Sequence, residues 1–252
     1  MLSRDDILNI NNIVYDAGQA VLDIYDTTFE VETKSDNSPL TLADKKSNEI
    51  IDLGLKSLFP NIPILSEEGR DIPYSERKKW DIFWLVDPLD GTKEFVKKNG
   101  EFTVNIALIS NNYPIFGSVY APYKKELFWA YDGLGAWKSE NRNKEQRIRV
   151  VPNDTKKRIV ISRSHPNEKV THFINQYENH QLIRMGSSLK LCCIAEGKAD
   201  IYPRLGPTSE WDIGAAQCIV EQAGGSVLEY QSNLRLKYNK ENILNPFFIV
   251  ST

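Results

Sequence analysis

Apolar residues at Ile7, Ile10, Val14, Ala17, Val21 and Ile24 recur at helical spacing. They predict one amphipathic helix, opened by a capping-box pair at Ser3 and Asp6. Phe29 to Glu32 alternates like a strand, and Lys34 to Pro39 reads as polar loop. Thr41 is placed to cap a second helix running to about Leu58, with Asp44 at its third helical position. Ile62 to Leu65 is a short strand that runs into Ser66-Glu67-Glu68-Gly69. Ile82 to Val86 is a second apolar strand, uncharged inside, and it too stops at an acid, Asp87. Lys93 to Phe95 fits one turn of helix. Phe102, Val104, Ile106 and Leu108 then alternate with Thr103, Asn105 and Ala107, the period of a strand. Tyr113 to Tyr120 and Glu126 to Tyr131 are further strands, joined by a Pro-Tyr-Lys-Lys turn. Gly133 to Trp137 leads into another, Lys138 to Glu145 reads as a solvated loop tip, and Arg147 to Val151 as a strand.

Past a boundary at Pro152 to Lys157 the pattern changes to strand alternating with helix. Strands are expected at Arg158 to Ser162, Leu182 to Met185, Asp200 to Tyr202, Ser226 to Glu229 and Phe247 to Val250. Helices are expected at His172 to Tyr177, Ser188 to Glu196 and Trp211 to Ala223, the last two stopped by Gly197 and Gly224. The expected architecture is a layered α/β fold. Residues 1–155 would form an α+β half with an antiparallel sheet, and residues 156–252 an α/β half with a mixed sheet. A length of 252 residues can bury one large core or two coupled halves.

Bulk properties narrow the function. At 41% hydrophobic and 26% charged the chain is an ordinary globular one. A net charge of −3 argues against a sequence-independent binder of polymeric nucleic acid, which needs a basic footprint. No apolar run approaches the roughly 18 residues of a membrane span. Three cysteines, two of them adjacent at Cys192 and Cys193, give neither a disulfide framework nor zinc spacing. They read as small buried hydrophobes in a reducing compartment. Asp5 and Asp6 near the start, with no cleavable apolar core, argue against a signal peptide. A cytoplasmic location is expected, with a peripheral place on the inner face of the membrane as the alternative.

The candidate chemistry sits in Trp84-Leu85-Val86-Asp87-Pro88-Leu89-Asp90-Gly91-Thr92. Pro88 fixes φ and supplies no N–H, so the strand is expected to end there. Asp87 and Asp90 on the turn that follows would crowd two carboxylates at the rim of a sheet. Like charges that close are costly unless a cation lies between them. Oxygen donors without His or Cys select Mg²⁺ before Zn²⁺. The Gly91 and Thr92 amides, where a helix starts, can bind an anion. Metal beside anion is the setting of phosphate chemistry. Each piece also has a plainer reading. Asp-Pro-x-Asp-Gly is the composition of an Asx turn closing a hairpin. Glu67 and Glu68 fit loop charges, and Asp44 and Asp212 fit acids at helix starts.

Together, Ser66 to Gly69, Trp84 to Thr92, Trp211-Asp212 and Glu221 to Gly225 resemble the inositol monophosphatase superfamily of Mg²⁺-dependent, Li⁺-sensitive phosphatases. Asp87 to Phe95, Asn99 to Ala107, Gly186 to Lys190 and Tyr202 to Pro207 are similar to its CysQ branch, the 3′(2′),5′-bisphosphate nucleotidases. The likeness runs from about Lys34 to Gly225 and implies a layered α-β-α-β-α, sugar-phosphatase-like fold. One departure is Gly214, where the branch leads one to expect Ala; inside a helix it would loosen that element by about 1 kcal/mol.

The resemblance implies a role for each matching residue. Glu67, Asp87 and the Leu89 carbonyl would hold one Mg²⁺, and Asp87, Asp90 and Asp212 a second, with a third ion as an alternative. Thr92 with Asp44, aided by Glu67, would orient and deprotonate the attacking water. The Gly91 and Thr92 amides would hold the phosphate. Glu67, Leu89, Asp90 and Asp212 would also border the substrate, and His165, Ser187, Lys190 and Arg204 match positions used near the nucleotide, although on their own Lys190 and Arg204 read as solvated surface cations. The implied reaction is hydrolysis of the 3′-phosphate of adenosine 3′,5′-bisphosphate, with its sulfated relative as a further substrate. A phosphatase of inositol monophosphate or another sugar phosphate is the alternative, and a metal-binding regulatory module without turnover a third. The partner is then a small nucleotide bisphosphate, and the chain a monomer or homodimer.

Overall fold

A computed structural model describes residues 1–25, 31–33, 39–153, 155–164 and 168–252. Residues 29–30 of the expected first strand, most of the loop after it, and His165 lie outside these. Helix α1 spans Arg4–Tyr25, and its start is the expected box. The Ser3 N–H donates to Asp6 Oδ2 (2.8 Å), and the Asp6 N–H donates back to Ser3 Oγ (3.1 Å). Strands β1 (Val31–Thr33) and β2 (Pro39–Thr41) pair as a small antiparallel sheet; Pro39 therefore belongs to a strand, not to the loop. Helix α2 (Leu42–Leu58) follows directly and puts Asp44 at its third position.

Next come β3 (Ile64–Ser66), a short α3 (Tyr74–Arg77) that the apolar pattern does not announce, and β4 (Ile82–Asp90). Helix α4 (Thr92–Val96) is the single turn expected. Strands β5 (Thr103–Ser110), β6 (Tyr113–Ala121), β7 (Glu126–Tyr131), β8 (Gly135–Glu140) and β9 (Gln146–Ile148) complete a seven-stranded sheet in sequence order from β3 to β9. All its pairs are antiparallel except β3 with β4.

The remainder is β10 (Lys157–Ser162), α5 (Glu168–Ile174), β11 (His180–Met185), α6 (Leu189–Ala195), β12 (Ile201–Arg204), α7 (Gly214–Gln222), β13 (Ser226–Glu229) and β14 (Phe248–Ser251). Its strands form a mixed sheet ordered β11-β10-β12-β14-β13. Helix α5 begins four residues earlier than His172, the expected start.

The layers follow from which face each residue buries. Phe102, just before β5, and Val104, Ile106 and Leu108 on it join the apolar cluster of α1 and α2. Ala107 and Ile109, on the other face, join a cluster built with α6, α7 and the second sheet. The seven-stranded sheet is thus covered on both faces. The layers run α1 and α2, large sheet, α6 and α7, small sheet, α5, which is the expected α-β-α-β-α order.

Further expectations change. Lys138 to Glu140 is strand, not loop tip, and Lys138 is buried. Its ammonium meets Glu126 (2.6 Å), Glu140 (3.0 Å) and Glu196 (3.1 Å), and these partners raise its pKa against the effect of burial. Helix α7 begins at Gly214, three residues after Trp211, so Gly214 is a first-turn residue and does not loosen a helix interior. A Cβ there would come within 2.9 Å of Leu85 Cδ2.

The contact of α7 with β6 is closest at Gly117, where an added Cβ would lie 2.1 Å from the Ala215 carbonyl oxygen. Backbone on both sides cannot yield as a side chain does. Gly117→Ala is expected to lower stability by about 3 kcal/mol, read from urea unfolding. A cost below about 0.5 kcal/mol would show that α7 is not held this tightly.

Candidate active site

The site is built by strand ends. Strands β3 and β4 run parallel with Ser66 opposite Val86, so Glu67, just past the end of β3, comes beside Asp87 on β4. The Glu67 N–H donates to the Val86 carbonyl (3.2 Å). Along β4, Trp84 and Val86 enter the α1 and α2 cluster, and Phe83 and Leu85 the opposite one. Strand alternation therefore turns Asp87 toward α6 and α7.

Asp90 would face the other way in a regular strand, because it lies three positions beyond Asp87. The strand does not end at Pro88, as expected; it carries a bulge. Asp87 pairs with Asn105 but Asp90 with Thr103, so three steps on β4 match two on β5. The extra residue returns Asp90 to the face of Asp87. A bulge is also where a sheet tolerates a proline without its N–H. Ser47 Oγ from α2 donates to the Pro88 carbonyl (2.7 Å) and the Leu89 N–H to Asp87 Oδ1 (3.1 Å), which fix this geometry. Gly91 then takes the left-handed conformation (φ 92°) that opens α4 at Thr92.

The third acid arrives from the C-terminal half. Asp212 sits in the turn before α7 rather than on the helix, with the Ser209 N–H donating to its Oδ2 (2.9 Å). Fully buried Glu210 ties this turn down by accepting from the Asn239 N–H (2.7 Å) and the Lys240 ammonium (2.6 Å). One oxygen each from Glu67, Asp87 and Asp212 lie within 4.8 Å of one another. Asp90 stands beside them, its Oδ2 accepting from Ser187 Oγ (2.7 Å) and the Ser188 N–H (2.6 Å).

Burial, then the charges of Glu67, Asp90, Asp212 and Asp44, push the Asp87 carboxyl well above its usual range. Asp44 is itself buried, so α2 adds a further acid to the group. Burial, then Asp90 and Glu67, push Asp212 up to about 8, against the Ser209 N–H and the Arg204 charge. Such a group of hard oxygen donors, crowded and desolvated, fits a divalent cation of the Mg²⁺ type.

The cleft over these acids has a volume of about 270 Å³. It gathers Glu67, Asp87, Leu89, Asp90, Gly91, Thr92, Ser187, Lys190, Arg204 and Asp212, all singled out from sequence. Leu89 contributes backbone, since its side chain is buried in the core; the Thr92 hydroxyl donates to its carbonyl at 3.4 Å. Lys190 is not a solvated surface cation: it is 7% exposed, and its ammonium donates to the Ser187 carbonyl. The Arg204 guanidinium folds onto its own loop, donating to Thr208 Oγ1 and the Pro207 carbonyl. Ser162 and Tyr202 also line the cleft, and Ser188 joins its two halves. Sequence reasoning passed over all three. Ser188 and Tyr202 lay inside the Gly186 to Lys190 and Tyr202 to Pro207 strings without being singled out, whereas Ser162 read simply as a strand residue.

A layered fold with acids at the ends of adjacent strands, facing a second sheet across a cleft, defines a class. Residues 3–247 match the inositol monophosphatase family, and the chain belongs to it. It is 46% identical over 239 residues to the 3′(2′),5′-bisphosphate nucleotidase CysQ of Salmonella typhimurium, covering 93% of this chain and 95% of that one. The structure is similar to that of CysQ from Bacteroides thetaiotaomicron, with a TM-score of 0.88 at 41% identity over 99% of this chain and 97% of that one. The Thermotoga maritima IMPase gives a TM-score of 0.81 at 25% identity over 98% and 92%.

The raised acids make stability depend on pH. Unfolded aspartates ionise near about pH 4, whereas folded Asp212 does so at about 8. Between these values the native state holds protons that the unfolded chain has released, so stability falls as pH rises. In EDTA, Tm is expected to drop by about 5 °C or more between pH 5 and pH 8, with a smaller drop in Asp212→Asn. Excess Mg²⁺ should remove most of the difference. An EDTA-treated protein whose Tm is the same at both pH values would contradict this electrostatic picture.

Proposed function

We propose that the chain hydrolyses the 3′-phosphate of adenosine 3′,5′-bisphosphate to AMP and phosphate, and acts on the sulfated relative of that nucleotide, within cytoplasmic sulfur assimilation. The observation that carries this reading is the pairing of features in one cleft. An acid cluster forms one wall, and the cations Lys190 and Arg204 stand on the other. A ligand with two phosphates needs both. The kinship with bisphosphate nucleotidases supports the same substrate.

Glu67, Asp87 and the Leu89 carbonyl would hold one Mg²⁺, and Asp87, Asp90 and Asp212 another. Bound there, Mg²⁺ supplies charge neutralisation and a lowered pKa for water. The residues do the rest. The Gly91 and Thr92 amides hold the 3′-phosphate oxygens. The Thr92 hydroxyl, with Asp44 and Glu67, fixes a water in line with the scissile bond and draws off its proton. No covalent phospho-enzyme is needed. An ammonium carries three protons, so the Lys190 bond to Ser187 leaves donors for the second phosphate, as does the guanidinium of Arg204.

The test is a turnover panel. Lys190→Met and Arg204→Ala should each lose about ten- to a hundredfold in kcat/KM on adenosine 3′,5′-bisphosphate. On inositol 1-phosphate, which has one phosphate, the loss should stay within about threefold. Equal losses on both, or faster wild-type turnover of the inositol phosphate, would favour a sugar-phosphate phosphatase. Thr92→Ala should lower kcat by about a hundredfold or more with KM within about twofold. A raised KM at unchanged kcat would move Thr92 from water activation to binding.

A further inference from the structure

Asp90 is held by a turn from the other half of the chain. The Gly186-Ser187-Ser188 turn gives Asp90 Oδ2 two hydrogen bonds, and Ser188 Oγ donates to the Asp212 carbonyl. It therefore couples an acid of β4 to the acid of the C-terminal half. The turn is costly to form: Ser187 adopts φ 53°, a left-handed conformation disfavoured for a residue with a Cβ. Something must hold it there.

One partner enters from the start of β5. Glu101 Oε2 accepts the Gly186 N–H (2.8 Å) and Arg163 Nε (2.8 Å), while Oε1 accepts Arg163 Nη2 (2.8 Å). Arg163 Nη2 also donates to the Arg184 carbonyl (2.9 Å), and the Arg163 N–H to the Met185 carbonyl (3.2 Å). Arg184 and Gly186 are thus tied to one bidentate ion pair, and Met185 between them to the Arg163 backbone. Burial raises the Glu101 pKa, but the Arg163 hydrogen bonds, the Gly186 N–H and the Arg163 charge outweigh it and keep the carboxylate ionised. The structure assigns Glu101 and Arg163 as positioning residues. They clamp the 186–188 turn so that its donors fix Oδ2 of Asp90, leaving Oδ1 for a divalent cation. This rests on the metal reading of the acid cluster proposed above.

Partners that orient a metal ligand are typically worth about ten- to a hundredfold in affinity. The probe is Mn²⁺ alone, titrated into the substrate-free full chain by calorimetry. Asp90→Asn identifies the binding step that uses Asp90. Glu101→Gln and Arg163→Met should weaken that same step about tenfold or more, leaving the other step within about twofold, and Arg163→Lys should fall between Arg163→Met and wild type. The Arg163 side chain is 43% exposed, so its variants remain a test even where Glu101→Gln fails to fold. Wild-type binding in both Glu101→Gln and Arg163→Met would overturn the assignment, because Thr103 and Asn105 would then suffice to hold the turn through Ser187 and Ser188. Equal weakening of both steps would also overturn it, indicating general loosening. A wild-type chain that binds no Mn²⁺ would overturn the metal reading along with it.

Discussion

Carboxylates from separate stretches of the chain are held in one desolvated pocket, and their mutual repulsion is the constraint around which the neighbouring structure is arranged. Glu67 and Asp87 arrive together because β3 and β4 are parallel neighbours. Asp90 joins them only because a bulge reverses the face it would otherwise take. Asp212 is brought up by a turn pinned through buried Glu210. Left uncompensated, such a group raises the pKa of its members and opposes folding at neutral pH. A fold that spends stability in this way keeps the arrangement for the cation and the phosphate it can hold.

The two sheets are joined at that pocket by more than packing. Helices α6 and α7 lie between them in a single apolar cluster, so the large sheet buries its second face only against the C-terminal part of the chain. Lys138 links β7, β8 and the end of α6 through three carboxylates. The Glu101 to Arg163 pair and the 186–188 turn do the same beside the cleft. Oriented polar contacts of this kind set the separation of Asp90 and Asp212 more finely than apolar burial can.

Much of this was legible in the sequence. Apolar periodicity located α1 and most strands, because most strands of the large sheet bury a recognisable face, and the cap position at Thr41 located α2. The acids stood out because they interrupt apolar runs. What misled was local chemistry overruled by tertiary context. Pro88 looked like a terminator, but a bulge absorbed its missing N–H. Lys138 looked solvated, but three glutamates compensate its burial. Lys190 looked like a surface cation and proves to be buried against the Ser187 carbonyl. Glu101 and Arg163 are 62 residues apart, and no spacing rule links such a pair before the fold is known.

Divalent cations are the proposed ligands of Glu67, Asp87, Asp90 and Asp212. Anomalous difference density from crystals grown with MnCl₂ tests this. Peaks are expected within bonding distance of the Glu67, Asp87 and Asp212 carboxylates, with one of them also reached by Asp90. Full-occupancy manganese elsewhere, with no peak among these four side chains, would contradict it.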